Sequence, residues 1–556
     1  MVDVWELTPD AVEGAEPLGT VRLGDVGRSV WKTARRSGGS LGRIAGLAGE
    51  AVRIAAGRSA ITADRKDWRF ADAAWQDNGV YRRVMQYYLA WAQSMEAMVD
   101  DANLDWRADE RARFFMGILV SAVAPTNTIL GNPAALKRII ETGGGNLVSG
   151  LGNLIGDVRH NGGMPSQVRR DAFVLGQDLA ATPGAVIYRD EICEVLQFAP
   201  STPEVHRRPL VVIPPQINKY YFMDLSPGRS FIEYVVSRGI TCFSISWRNP
   251  DARHADWDFD TYAAAALRAI DVACDTAKSE DVNVIGMCAG GILTATVLNH
   301  LAHTNDERIK SATFGVTLLD FSTPAMVGLF NTAPLMATAR RRSQLRRGLD
   351  GPSLGSVFSW LRPNELVWNY WVNNYLMGKQ PPVFDILAWN SDPTNLPAAL
   401  HRQFLDIFED NTLVNPGAFK VLGTPVDFGK VTLDTYVTGA ANDHLTPWKG
   451  CYRTTQLLGG TSTFVLSSAG HIASLVNPPG NPKAHFFAGP EPEADPEAWQ
   501  AKAEKVPGTW WEHWADWALQ RSGDTHRSPG NFGSRKFRLI EPAPGAYVRG
   551  LEPANG

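Results

Sequence analysis

A chain of 556 residues is long for one compact unit and leaves room for two or three lobes. Its hydrophobic fraction of 44% and charged fraction of 20% are those of an ordinary globular protein, which excludes a fibrous or extensively disordered one. A formal net charge of -4 supplies no global positive field, so nucleic acid is not an expected partner.

The opening stretch MVDVWELTPDAVEGAEP carries early acids and no apolar core, unlike a secretory signal, so a cytoplasmic location is expected. Residues 1–60 read as a variable N-terminal segment. Within it, residues 30–57 mix Arg35, Arg36, Arg43 and Arg53 with Leu41, Ile44, Leu47, Val52 and Ile54, a weakly amphipathic basic pattern. Its glycines also fit a marginal surface helix. From 81 to 154 apolar residues recur at helical spacing, as in YRRVMQYYLAWAQSMEAMV, which predicts a mainly α-helical domain over 61–180. The most apolar uninterrupted run, 114–124, is about half of what a membrane-spanning helix needs, so no transmembrane anchor is expected.

After Arg208 the texture changes to short β-branched runs separated by helical patterns, the signature of a mostly parallel sheet. Strands are predicted at 210–213, 241–246, 282–285, 312–318, 432–437 and 463–466. The gap between the fourth and fifth far exceeds a normal crossover, which predicts a cap inserted at about 322–428 within a catalytic domain over 181–556. The insert holds Trp360, Trp368, Trp371 and Trp389, read first as core and second as walls of a channel. It also holds a basic run, Arg340, Arg341, Arg342, Arg346 and Arg347, which reads as a solvated helix face or as a phosphate contact.

The five cysteines, Cys193, Cys242, Cys274, Cys288 and Cys451, form an odd, scattered set that fits neither a disulfide framework nor a zinc site. Cys288 alone lies in a chemical motif. VNVIGMCAGG is a β-branched strand running into Gly286-Met287-Cys288-Ala289-Gly290-Gly291 and then the helix-compatible ILTATVLNHL. That pattern is a nucleophile elbow with cysteine in place of serine, and small residues at 286 and 290 are what so sharp a strand-to-helix turn needs. The turn also sets Cys288 at a helix N-terminus, whose unsatisfied amides favour anionic sulfur. A buried structural cysteine in a glycine-rich turn is the plainer reading of the motif by itself.

Two later segments add to it. VTLDTYVTG runs into AANDHLTPW, putting Asp443 on the loop after one strand, and STFVLSS runs into AGHIASL, putting His471 after the next. The chain order nucleophile, acid, histidine is that of the α/β-hydrolase fold, and all three positions fall at the carboxyl edge of the predicted sheet. His471 is therefore the candidate base, Asp443 its orienting carboxylate, and His444 a neighbour that either tunes the site or is an ordinary loop histidine. The backbone N–H groups of Ala289 and of Ile217, in the PPQINKYY loop, are the candidate oxyanion donors.

Long segments then carry a family resemblance: RFADAAWQDNGVYRR, ETGGGNLVSGL, PPQINKYYFMDL, GMCAGG, LRPNELVWNYWVNNYL, GAANDHLTPW and SSAGHIASLVNPPGNPKA. Over nearly its whole length the sequence resembles the bacterial polyhydroxyalkanoate synthases, single-subunit type. VWNYWVNNYL, NPPGNPKA and PAPGAYV look closer to members that take medium-length monomers. The resemblance implies polymerisation of (R)-3-hydroxyacyl-coenzyme A with release of coenzyme A, Cys288 holding the acyl chain as a thioester. It further implies a cap around LRPNELVWNYWVNNYL, a homodimer at the surface of cytoplasmic polyester granules, and no metal or cofactor. The elbow triplet Met287-Cys288-Ala289 is one departure, at positions where family members vary, and bears on pocket shape and preferred chain length. A thioesterase or depolymerase of the same fold remains the alternative, because such a site does not by itself decide whether water or an alcohol accepts the acyl group. A granule-bound scaffold with a dead site is a second.

Overall fold

The structure is a computed structural model that describes residues 39–323 and 333–551. Residues 1–38, which hold most of the predicted N-terminal segment, lie outside the described residues, as do 324–332 near the start of the predicted cap. The chain divides into two compact units: one runs to Arg169 and adds Pro352–Phe384, the other comprises Arg170–Gly351 and Asp385–Gly556.

The first unit is helical, with α1 (Gly39–Ala55), α2 (Gly79–Asp101), α3 (Trp106–Ala122), α4 (Pro133–Thr142) and α5 (Gly145–His160). Asn78 caps α2 by accepting from Val80 and Tyr81 N–H, and Asn132 with Pro133 opens α4, which ends at Gly143. α1 forms despite its glycines because it lies along α2, where Arg43 pairs with Asp101 at 2.8 Å and Tyr87 donates to the Ala51 carbonyl. Phe70, Trp75, Met85, Tyr88 and Ala124 make a small core.

Pro352–Phe384 joins this unit through polar matching. On α5 the amides of Asn146 and Asn153 donate to the carbonyls of Leu376 and Asn374, and Tyr375 donates its hydroxyl to Asp157. The acceptor stretch Trp371–Leu376 is π-helical, a geometry that leaves carbonyls free for such donors. The insertion read from sequence as one cap over 322–428 is thus divided between the two units. Trp360, Trp368, Trp371 and Tyr375 form an edge-on chain of rings inside it.

The second unit is built on one sheet. In chain order its strands are β1 (Gly184–Arg189), β2 (Cys193–Phe198), β3 (Leu210–Ile213), β4 (Cys242–Trp247), β5 (Val282–Met287), β6 (Ile309–Gly315), β7 (Asp434–Ala440), β8 (Ser462–Ser467), β9 (His485–Ala488), β10 (Glu504–Pro507) and β11 (Glu541–Pro542). Their spatial order is β10-β9-β8-β7-β6-β5-β3-β4-β2-β1-β11. The six central strands, from β4 to β8, are mutually parallel, and the flanking pairs are antiparallel. These six are the runs predicted from sequence. They stand out because β3, β4 and β5 are buried along their whole length and, apart from Asn283 in β5, read as apolar or small segments.

Among the flanking strands, β2 is not legible as an apolar run because it buries a carboxylate. Glu194 is fully buried and accepts from Arg189 and from the N–H groups of Ala546 and Tyr547, which ties the C-terminal segment to the sheet. Helices of this unit include α6 (Phe259–Ala277), α7 (Ala289–His303), α8 (Ala333–Arg346), α9 (Ala398–Asp410), α10 (Trp448–Leu457), α11 (His471–Leu475) and α12 (Trp510–Leu519). α7 is buried almost all round, as expected of a helix lying at the centre of a doubly covered sheet.

Candidate active site

The site is assembled at the carboxyl ends of β5, β7 and β8, within the second unit. β5 delivers Cys288 in a conformation with φ 51° and ψ -123°, a region that costs a non-glycine residue on the order of 1–3 kcal/mol. Surrounding contacts hold it there. The Cys288 N–H donates to the Gly315 carbonyl at the end of β6, while its carbonyl accepts from Gly291 as α7 begins. A Cβ on Gly286 would sit 2.3 Å from Thr294 Oγ1, and one on Gly290 2.3 Å from the Ile213 carbonyl oxygen. Both predicted small positions are therefore demanded by close approach, one within the elbow and the other against the end of β3.

Asp443 follows β7 in a tight turn in which its Oδ1 accepts from Leu445 N–H at 2.8 Å and Thr446 N–H at 3.0 Å. Its Oδ2 lies 2.6 Å from His471 Nδ1 and accepts from the Thr446 hydroxyl at 2.7 Å. His471 opens α11, and the seat of that helix is α12, where Trp510 and Trp511 donate their indole N–H groups to the carbonyls of Ser474 and Leu475. Cys288 acts on the same imidazole, raising its proton affinity.

Electrostatics follow from this packing. Burial alone would push the Asp443 carboxyl up, but the facing imidazole and the Thr446 donors hold it below its ordinary value. Burial would pull His471 down. The Asp443 charge, its hydrogen bond and that of Cys288 outweigh burial and push the imidazole up to about 10. An imidazole of raised proton affinity, clamped by a carboxylate, is suited to hold the proton that the Cys288 sulfur gives up and to return it to a leaving group.

Ala289 is the first residue of α7, a position where the backbone N–H has no partner inside its own helix. Ile217 lies half-buried in the loop after β3. That loop is fixed by groups far away in sequence: Trp247 donates to the Pro214 carbonyl, Thr394 to that of Gln216 and Trp389 to that of Lys219. Lys219 in turn pairs with Asp392 and donates to the Val548 carbonyl. Gln216 is 2% exposed, and both atoms of its side-chain amide lack a hydrogen-bond partner among the described residues.

The structure thus brings Cys288, Asp443 and His471 together. His444, in the same turn, is half-buried, and the residue that shares the Asp443–His471 contact is Thr446, which sequence reasoning passed over. Its signal was the D-x-x-T spacing of a side-chain-capped turn. In the basic run, Arg340 is committed to Asp406 and Glu409 on α9, which removes it as a phosphate ligand. Cys193, Cys242 and Cys451 are buried free thiols and Cys274 is half-buried.

A parallel sheet carrying a nucleophile elbow, then an acid, then a histidine defines an α/β-hydrolase-fold enzyme, and residues 209–478 match the sequence profile of that fold. Residues 66–235 match the profile described as the N-terminus of poly-beta-hydroxybutyrate polymerase (PhaC). The chain is 44% identical to poly(3-hydroxyalkanoate) polymerase 1 of Ectopseudomonas oleovorans over 90% of this chain and 89% of that one. It is 43% identical to polymerase 2 of the same organism over 90% of each, and 39% identical to the polymerase subunit PhaC of Cupriavidus necator over 89% of this chain and 85% of that one. The chain belongs to the poly(3-hydroxyalkanoate) polymerase family, a group of polyester-forming acyltransferases.

Proposed function

We propose that the enzyme builds its polyester through a covalent thioester on Cys288, with His471 as the proton carrier and Asp443 as the carboxylate that orients it. The supporting observation is a buried Asp443–His471 pair, 2.6 Å apart, on whose ring Cys288 also acts.

The chemistry balances in two alternating steps. His471 takes the Cys288 proton as sulfur attacks the carbonyl of a 3-hydroxyacyl-coenzyme A. The carbon–sulfur bond to coenzyme A breaks, and the leaving thiolate collects the proton from His471. His471 then takes the 3-hydroxyl proton of an incoming monomer as its oxygen attacks the Cys288 thioester, forming an ester and returning the thiol. The lengthened chain, now carried on coenzyme A, reloads onto Cys288 and coenzyme A departs. Negative charge at each tetrahedral stage would be met by the N–H groups of Ala289 and Ile217. Exchange between thioesters is nearly balanced, whereas transfer to an alcohol runs downhill, so a thiol suits the role better than a hydroxyl.

We extend the reading to a homodimeric cytoplasmic enzyme working at the polyester granule surface and preferring medium-length monomers. The family resemblance supports it; among the described residues no helix is long and apolar enough to cross a membrane. The test gives purified protein a four-carbon and an eight-carbon (R)-3-hydroxyacyl-coenzyme A and follows free thiol together with insoluble product. Thiol release matched by polymer is expected, faster with the longer monomer. Soluble hydroxy acid in place of polymer overturns the reading in favour of a hydrolase.

A further inference from the structure

We infer that Thr446 is a positioning residue for this reaction: its hydroxyl holds the Asp443 carboxylate in the orientation that keeps the Nδ1–H tautomer of His471. The inference rests on the roles proposed above for Asp443 and His471.

The side chain of Asp443 has no exposed surface, so each oxygen must find its donors inside the protein. Oδ1 is served by two N–H groups of its own turn, from Leu445 and Thr446. Oδ2 faces the ring, and its donors are His471 Nδ1 at 2.6 Å and Thr446 Oγ1 at 2.7 Å. Thr446 Oγ1 is also 3.1 Å from Nδ1, which closes a triangle of three side chains. A hydroxyl has a single proton to give. With Nδ1–H directed at Oδ2, that proton also goes to Oδ2, and the lone pair left on Oγ1 faces Nδ1–H. The hydroxyl therefore supports the protonated Nδ1 from both sides, and Nε2 is left to deal with the sulfur.

Thr446 is itself held in place. It is 7% exposed, it is β-branched and so stiff about χ1, and its carbonyl accepts from the buried Cys451 thiol at 3.4 Å. A residue fixed this firmly transmits its own orientation to the carboxylate.

The test measures thiol release from (R)-3-hydroxyoctanoyl-coenzyme A by the wild type, Thr446→Val, Thr446→Ser and Asp443→Asn, and by the Val and Asn changes combined. Val should lower kcat by about 10- to 100-fold at unchanged KM, the loss of one hydrogen bond to a charged group, and Ser should recover activity to within about threefold. On the Asn background Val should cost less than about threefold, because the hydroxyl acts through the carboxylate. If Val fails to fold, Thr446→Ala is read in its place. Val at full activity beside a strongly slowed Asp443→Asn overturns the inference and leaves the catalytic pair standing. An equal loss on both backgrounds assigns Thr446 a structural role only and also overturns it. An active Asp443→Asn overturns the catalytic reading together with this one.

Discussion

Adding one methyl group at Gly290 is the sharpest probe of how the elbow and the loop after β3 are joined. A Cβ there would lie 2.3 Å from the Ile213 carbonyl oxygen, 2.7 Å from the Pro214 carbonyl carbon and 2.9 Å from its oxygen. A tolerable carbon–oxygen contact is roughly 3.3 Å, so the end of β3 and the elbow must separate by about 1 Å. The obstacle is backbone and cannot swing aside. It is also pinned, because the Pro214 carbonyl accepts from Trp247, a buried side chain. Overpacking of this kind costs about 1–3 kcal/mol. That loop carries Ile217, the proposed second oxyanion donor, so a displacement of about 1 Å would also take its N–H out of register, which costs on the order of 100-fold in rate. Gly290→Ala is therefore expected to fold cooperatively with Tm lowered by about 1–4 °C, roughly 1 °C per kcal/mol for a unit of this size, and to release thiol about 100-fold more slowly. Gly46→Ala is the control: no atom lies within 4 Å of a Cβ at this exposed site in α1, and alanine there should be neutral or stabilising. Gly290→Ala with wild-type turnover would refute both the tight joint and the role of the loop.

Cys288→Ala should lose thiol release by at least about 1,000-fold with Tm nearly unchanged, since the alanine inherits the same backbone; turnover that survives would remove Cys288 from the mechanism. His471 should make stability depend on pH. Its native value is raised above its ordinary one, so the stabilisation it brings is complete below about pH 6.5 and is lost as pH rises through the native value. Urea titrations at pH 6.5 and pH 10 should accordingly converge for His471→Gln relative to the wild type, and an identical pH slope in both proteins would contradict the burial and pairing described. Asp443, whose value is lowered, acts in the opposite direction, its contribution being lost as pH falls through its native value. Gln216→Leu should raise stability by about 1–2 kcal/mol, because a buried amide without partners is replaced by an apolar group of similar size, while kcat/KM falls; a stability gain at unchanged kcat/KM would show that no substrate group uses the amide.

Much of this architecture is written locally in the chain. The central strands are legible because a strand covered on both faces must be apolar throughout, and the elbow because small residues must flank a turn so sharp. Asp443 and His471 are legible because chain order along a parallel sheet places successive loops at one edge. The helical character of α2 to α5 follows from periodicity and from the Asn78 and Asn132 caps.

Other features depend on partners distant in sequence, and only the tertiary structure decided them. Pro352–Phe384 belongs with the N-terminal helices because carbonyls of its π-helical turns meet the Asn146 and Asn153 amides, a match between chain segments more than 200 residues apart. Glu194 hides β2 from any apolar pattern, since its burial is tolerable only once Arg189 and the Ala546 and Tyr547 amides close on it. The Thr446 hydroxyl reads as part of a turn until His471 arrives beside it, and the tryptophans of α12 read as core until they are seen seating the histidine helix. Periodicity and turn chemistry report what each segment demands of its surroundings. Which distant group answers the demand is a property of the packed chain, because hydrogen bonds and ion pairs in a buried site take their value from both partners at once.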